Sequence, residues 1–93
     1  AMQTMTPIQQ MAFIRCGLDR MWWGFYLVRR VGKIQCTWEE LAASLGLTID
    51  KLVSLALCKT PRPGEKFEED VQAVATYIGL PADTLKELWS EAQ

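Results

Sequence analysis

The sequence predicts an all-α domain of five or six helices, and three observations lead to that fold class. Thr6 and Thr37 each stand three residues before a glutamine or glutamate, which is the capping-box pattern of a helix N-terminus. No segment alternates apolar and polar residues as a half-buried strand does. The 93 residues, 49% hydrophobic and 23% charged, suit a single globular domain over residues 1–93.

Residues 7–31 are the predicted N-terminal helical region. Pro7 fits the first position of a helix, because that position needs no backbone donor. Gly17 is expected to break or kink this stretch, which leaves a first helix over residues 7–16. A second helix is then expected over about residues 18–31, with Gly32 at its end.

Residues 37–91 form the predicted helical core. Its helices are expected to cover residues 38–45, 49–57, 67–78 and 82–91. Gly46 and Gly79 end two of these helices, because glycine readily takes the left-handed backbone of a helix C-cap. Thr48 caps the helix that follows Gly46. The two prolines of residues 59–64 predict a loop.

Composition argues against enzymes and membrane spans. The chain has no histidine, which is the commonest general base and metal ligand, and it has no phosphate loop or nucleophile motif. Cys16, Cys36 and Cys58 are widely spaced, which favours reduced thiols of a cytoplasmic protein over zinc ligands. No apolar run reaches the roughly 18 residues that a span needs. We therefore expect no catalysis, cofactor, metal or membrane association.

The charges are unevenly spread along the chain. Residues 1–37 carry a net charge of +4, whereas residues 38–93 carry −5. Nucleic-acid binders concentrate cations on the element that contacts the phosphates. The second half of the chain therefore has an unfavourable balance for DNA binding.

Residues 37–48, TWEELAASLGLT, resemble the pattern T-x-E-E-L-A-x-x-L-G-h-S/T of lambda-repressor-like (Cro/repressor-type) helix-turn-helix domains. The resemblance extends over about residues 18–91 and leaves an N-terminal helical extension outside it. It implies that Ala42 lets two helices approach and that Gly46 makes the turn between them. It also implies that the following helix enters the major groove of DNA.

By this resemblance, the outward positions of the reading helix are Ile49, Asp50, Val53, Ser54 and Leu57. Base edges present hydrogen-bond donors and acceptors, so a DNA reader needs polar or cationic side chains at such positions. Three of the five are instead apolar at helical spacing, and we call Ile49, Val53 and Leu57 the apolar stripe. Asp50 beside the stripe would repel phosphate.

The apolar stripe has three competing interpretations. It is covered by the helix of residues 7–16, or it is an exposed surface for another protein or a second copy of this chain. Alternatively, the alignment slips by one residue and the helix does read DNA. In that case Lys59, Arg62 and Lys66 are candidates to hold phosphates; otherwise they belong to a solvated loop.

A second feature is the run of residues 20–30, which is apolar nearly all round and has arginines at both ends. A helix on a membrane surface needs a distinct polar face, so this run favours a central helix wrapped by the others. If Trp22 and Trp23 point in opposite directions, one of them reaches the surface and becomes a candidate anchor for a partner.

These patterns predict a small regulatory module of the cytoplasm. It is expected to act mainly through protein–protein interaction, using the apolar face where the family reads DNA. The alternative is a DNA-binding transcriptional regulator.

Overall fold

A computed structural model describes residues 5–93, and over that range the chain is all-α, as predicted. The helices are α1 (Pro7–Cys16), α2 (Trp23–Ile34), α3 (Trp38–Leu45), α4 (Ile49–Ala56), α5 (Phe67–Ile78) and α6 (Ala82–Glu91). A short 3-10 turn, Gly64–Lys66, leads into α5. The described residues contain no strand, only an isolated backbone bridge between Trp22 and Lys59.

The predicted helix starts follow from threonine capping. The hydroxyl of Thr6 accepts from the backbone N–H of Gln9, and the Gln9 side chain accepts from the N–H of Thr6. Thr37 and Glu40 exchange the same two bonds at the start of α3. Thr48 accepts from the amide three residues further on. These bonds satisfy donors that have no partner within the helix.

The predicted bounds of the second helix are wrong at both ends. Residues 17–22 make turns instead of helix, because the Asp19 carboxylate accepts from the N–H of Met21 and competes with helical bonding. The N–H of Trp23 donates to the carbonyl of Cys58, which joins the start of α2 to the end of α4. These local and long-range bonds set where α2 begins.

Gly32 does not end α2, which continues to Ile34. Gln35 ends it in the left-handed conformation at φ 53°, with its N–H donating to the carbonyl of Val31. Gly46 and Gly79, in contrast, are left-handed C-caps as predicted, at φ 69° and 91°. The other predicted helices agree with the structure to within one residue.

Helix α2 occupies the centre of the fold and packs against α1, α4 and α6. Its Trp23 and Leu27 are fully buried. The ring of Tyr26 stacks on Trp89 of α6, with 4.9 Å between the ring centroids. The buried residues of α4 and α6 include Leu52, Leu55, Ala56, Leu85 and Leu88. The expectation of a central helix in residues 20–30 is therefore confirmed for Trp23 onward.

Helices α1, α2 and α4 meet at Gly24. A β-carbon at this position would lie 2.6 Å from the β-carbon of Cys16 in α1 and 3.2 Å from the carbonyl oxygen of Ala56 in α4. Both distances are shorter than ordinary van der Waals contacts. Glycine is therefore required here by the close approach of three helices.

We expect Gly24→Ala to lower the free energy of unfolding by about 1–3 kcal/mol, because the added methyl group must push helices apart. Gly32→Ala is the matched control, since a β-carbon there would meet no atom within 4 Å. That change should raise stability by up to about 1 kcal/mol through helix propensity. Urea unfolding measures both variants, and equal tolerance of the two substitutions would contradict the close approach at Gly24.

Candidate interaction surface

The structure separates the three residues of the apolar stripe. Ile49 is buried, with 4% of its surface exposed, Val53 is half-buried, and Leu57 is 51% exposed. Helix α1 packs against α4. The buried end of the stripe therefore belongs to the core, and only Leu57 presents a largely exposed apolar side chain.

The polar residues beside the stripe already have partners within the chain. The Gln9 side chain donates to the Asp50 carboxylate over 2.9 Å, which ties α1 to the first turn of α4. The hydroxyl of Ser54 donates to the backbone carbonyl of Asp50 over 3.0 Å. The two polar side chains of α4 that the resemblance assigns to base reading therefore make hydrogen bonds within the chain.

Exposed apolar side chains collect on the outer side of α1. Ile8, Met11 and Ile14, three residues apart, are 80%, 59% and 67% exposed. Ile8 and Met11 share a hollow of about 560 Å³ with Leu57 of the apolar stripe and the half-buried Trp22. We call Ile8, Met11, Ile14 and Leu57 the α1 patch. Through this hollow, which the exposed Arg15 also lines, the patch joins two segments that are distant in sequence. Ile14 continues the exposed apolar side of α1 toward a second hollow lined by Leu18 and Val28.

Helix α1 is apolar on both sides. Phe13 and Cys16 are buried on the inner side, and the ring of Phe13 stacks on Trp38 with 4.0 Å between centroids. The α1 patch was missed in the sequence because apolar residues around the whole helix leave no amphipathic pattern. One feature of the sequence does indicate the patch. The ten-residue helix near the start of the chain has more apolar residues than a single buried face can hold, so some of them must be exposed.

The two tryptophans differ in their surroundings. Trp23 lies wholly in the core, and its indole Nε1 has no hydrogen-bond partner there. Trp22 is half-buried and borders the α1 patch beside Leu57. Trp22 is therefore the member of the pair that can contact a partner.

Two of the three candidate phosphate contacts face carboxylates. The Arg62 guanidinium binds both oxygens of Asp70, with Nε–Oδ2 and Nη2–Oδ1 distances of 2.9 Å. Lys66 Nζ lies 3.5 Å from a Glu69 oxygen. Lys59 is exposed and has no ion pair with any residue in the described range 5–93.

Titration shifts follow from these contacts and from burial. Hydrogen bonds from the Arg62 side chain and backbone hold the pKa of Asp70 well below its usual range. Burial raises the pKa of the Cys16 and Cys58 thiols, which disfavours their reactive thiolate forms. Among residues 5–93, no three side chains of His, Cys, Asp or Glu lie together as metal ligands would.

Comparison with protein-family models, curated proteins and solved structures finds no match to this chain. Across the part of the chain that the structure describes, no helix combines the length and hydropathy needed to cross a membrane.

We expect the Asp70 carboxyl, followed by NMR during acid titration, to protonate well below the usual value of about 3.9. Because the folded pKa is the lower one, the Arg62 contact stabilises the fold above about pH 4. That contribution is lost as the pH falls through the folded pKa. Arg62→Gln should return the pKa of Asp70 toward its usual value, whereas the control Lys59→Gln should not. An ordinary pKa in the wild type would mean that Arg62 is free for other contacts.

Proposed function

We propose that this protein is a small regulatory interaction module, resembling a lambda-repressor-like helix-turn-helix domain, that binds another protein chain through the α1 patch. The observation that carries the proposal is the exposure of Ile8, Met11 and Ile14 on a helix whose opposite side is buried. Covering a contiguous apolar surface releases water and lowers the free energy, so such surfaces mark interfaces.

The helix pair α3–α4 supports the helix-turn-helix part of the proposal. Gly46, Leu47 and Thr48 connect the two helices, and the N–H of Leu47 donates to the carbonyl of Ala42 over 2.8 Å. Ala42 is buried, in agreement with its expected role as the small residue at a close helix contact.

The position of α1 supports protein binding over DNA reading. In the family that the chain resembles, the helix corresponding to α4 must reach the floor of the major groove. Here α1 packs against α4, and Gln9 binds Asp50 in its first turn. An apolar helix beside a reading helix hinders its entry into a groove lined by phosphates, whereas it suits contact with another apolar helix.

A second copy of this chain is the partner that fits the α1 patch best. The four residues of the α1 patch carry no charge, so two identical surfaces can meet through them while the exposed Arg15, which lines the same hollow, keeps its charge in solvent. The spacing of Ile8, Met11 and Ile14 provides the ridge that one helix packs into the groove of another. Two-fold pairing then buries the same residues on both chains, which is the commonest arrangement of small oligomers.

DNA binding is the second candidate, favoured by the capped α3–α4 pair and by exposed Lys59. Its support is weaker, since Arg62 and Lys66 are engaged by Asp70 and Glu69. The net charge of −5 over residues 38–93 also opposes approach to a phosphate backbone.

The substitution Ile14→Lys tests the proposal by placing a charge within the α1 patch. Because Ile14 is largely exposed, the free energy of unfolding should change by no more than about 0.5 kcal/mol. Self-association, measured by sedimentation equilibrium, should weaken at least about tenfold because the lysine would be desolvated in the interface. Ala73→Lys adds the same charge at an exposed site on α5 and should leave association intact.

Three results would count against this assignment. A wild-type protein that stays monomeric up to about millimolar concentration, equivalent to barely 4 kcal/mol of association, excludes the second copy as partner. Equal weakening by Ile14→Lys and Ala73→Lys would point to general charge repulsion. Unfolding of Ile14→Lys would mean that this side of α1 is part of the core.

A further inference from the structure

A groove runs along α2, and Leu18 and Val28 of its lining share a neighbouring hollow with Ile14 of the α1 patch. Its volume is about 640 Å³, and its lining includes Leu18, Phe25, Val28, Arg29, Gly32 and Lys33. We call these six residues the α2 groove. Gly17, Arg30 and Glu91 complete the lining, so its charged members are three cations and one carboxylate.

Within residues 5–93, no contact and no backbone conformation requires glycine at position 32. It lies inside α2, its φ is not positive, and a β-carbon there would meet no atom within 4 Å. A glycine in an exposed helix interior lowers helix stability without any gain in packing. It does leave the helix backbone open to close approach from outside the chain.

Two of the three cations that line the groove lack carboxylate partners, and the third is Arg30. Among residues 5–93, Arg29 and Lys33 have no ion pair, and the Arg29 guanidinium lies 4.9 Å from the centroid of the Phe25 ring. Arg30 contrasts with them, since it holds Glu91 in two bonds of 2.7 Å. The cations of the second half include Arg62, Lys66 and Lys86, which all face carboxylates. Arg29 and Lys33 therefore leave two unneutralised positive charges in the lining of the groove, while Arg15, Arg20, Lys51 and Lys59 likewise have no ion pair with residues 5–93.

We infer that the α2 groove binds an acidic amphipathic helix of a partner protein. Apolar side chains of that helix pack over Val28 and Gly32, and its carboxylates meet Arg29 and Lys33. Helix-in-groove binding of this kind uses apolar anchors at helical spacing and charges that set the orientation. This surface goes beyond the proposed self-association, because it shares no residue with the α1 patch.

An anionic lipid surface is the other source of negative charge, and the shape of the site argues against it. The α2 groove encloses about 640 Å³ between residues of α2 and residues of neighbouring segments, among them Gly17, Leu18 and Glu91. A rod-shaped helix can fill such a hollow, whereas a flat bilayer would contact only its rim.

A displayed library of helical peptides tests the inference without a known ligand. Helical peptides of about 15 residues, at a rise of 1.5 Å per residue, span the whole length of the 12-residue α2. Selection on the full chain should enrich glutamate and aspartate next to apolar residues spaced three and four apart. The affinity of one enriched peptide, synthesised and titrated by calorimetry, should fall as salt is raised.

Matched variants locate the site. The double change Arg29→Gln and Lys33→Gln should weaken binding of the enriched peptide at least about tenfold, through loss of two charge contacts. Lys51→Gln with Lys59→Gln removes the same net charge elsewhere and should leave the affinity within about twofold. Gly32→Leu, which fills the groove, should also abolish binding, whereas Ile8→Lys in the α1 patch, which lines only the hollow with Leu57, should not change it.

Several outcomes would overturn the inference. One is a selection that does not enrich carboxylates. Another is an enriched peptide whose affinity is unchanged by both the Arg29/Lys33 double variant and Gly32→Leu. A third is an equal loss of affinity in the Arg29/Lys33 and Lys51/Lys59 double variants. Vesicles of phosphatidylglycerol and phosphatidylcholine provide a further arm. Vesicle binding that depends on Arg29 and Lys33, with no peptide enriched, would assign the groove to a lipid surface instead.

Discussion

The contact on which the fold depends is the meeting of α1, α2 and α4 at Gly24. Because this residue has no side chain, Cys16 of α1 and the carbonyl of Ala56 in α4 can both approach the α2 backbone. This close approach packs the inner side of α1, which includes the buried Phe13, against the centre of the domain. It also fixes which side of α1 turns outward, and that side carries Ile8, Met11 and Ile14.

The two halves of the chain also differ in how their charged side chains are paired. In the acidic half of the chain Arg62, Lys66 and Lys86 face carboxylates, and the Arg62–Asp70 pair lowers the pKa of Asp70. The basic half keeps Arg29 and Lys33 at the surface without ion pairs to residues 5–93. We propose that apolar association and recognition of an acidic partner use two separate surfaces of one small domain.

The sequence predicts most of the fold because local chemistry decides it: threonine caps at Thr6 and Thr37 satisfy their own helix termini. The predicted start of α2 is wrong because a long-range hydrogen bond, from the N–H of Trp23 to the carbonyl of Cys58, sets it. The α1 patch could not be predicted from the sequence in the same way. The burial of Ile49 depends on packing around α4, and periodicity cannot tell which side of an evenly apolar helix such as α1 faces the core.

The five isoleucines of the chain allow one direct test of the account. Methyl NMR with a soluble paramagnetic agent should show strong relaxation at Ile8 and Ile14 in dilute protein and protection at Ile49, which is buried. Raising the protein concentration should protect Ile8 and Ile14 while Ile34, half exposed at the end of α2, stays accessible. An Ile49 methyl as accessible as Ile8 would contradict the docking of α1. Ile8 and Ile14 methyls as exposed as Ile34 at every concentration would contradict association through the α1 patch.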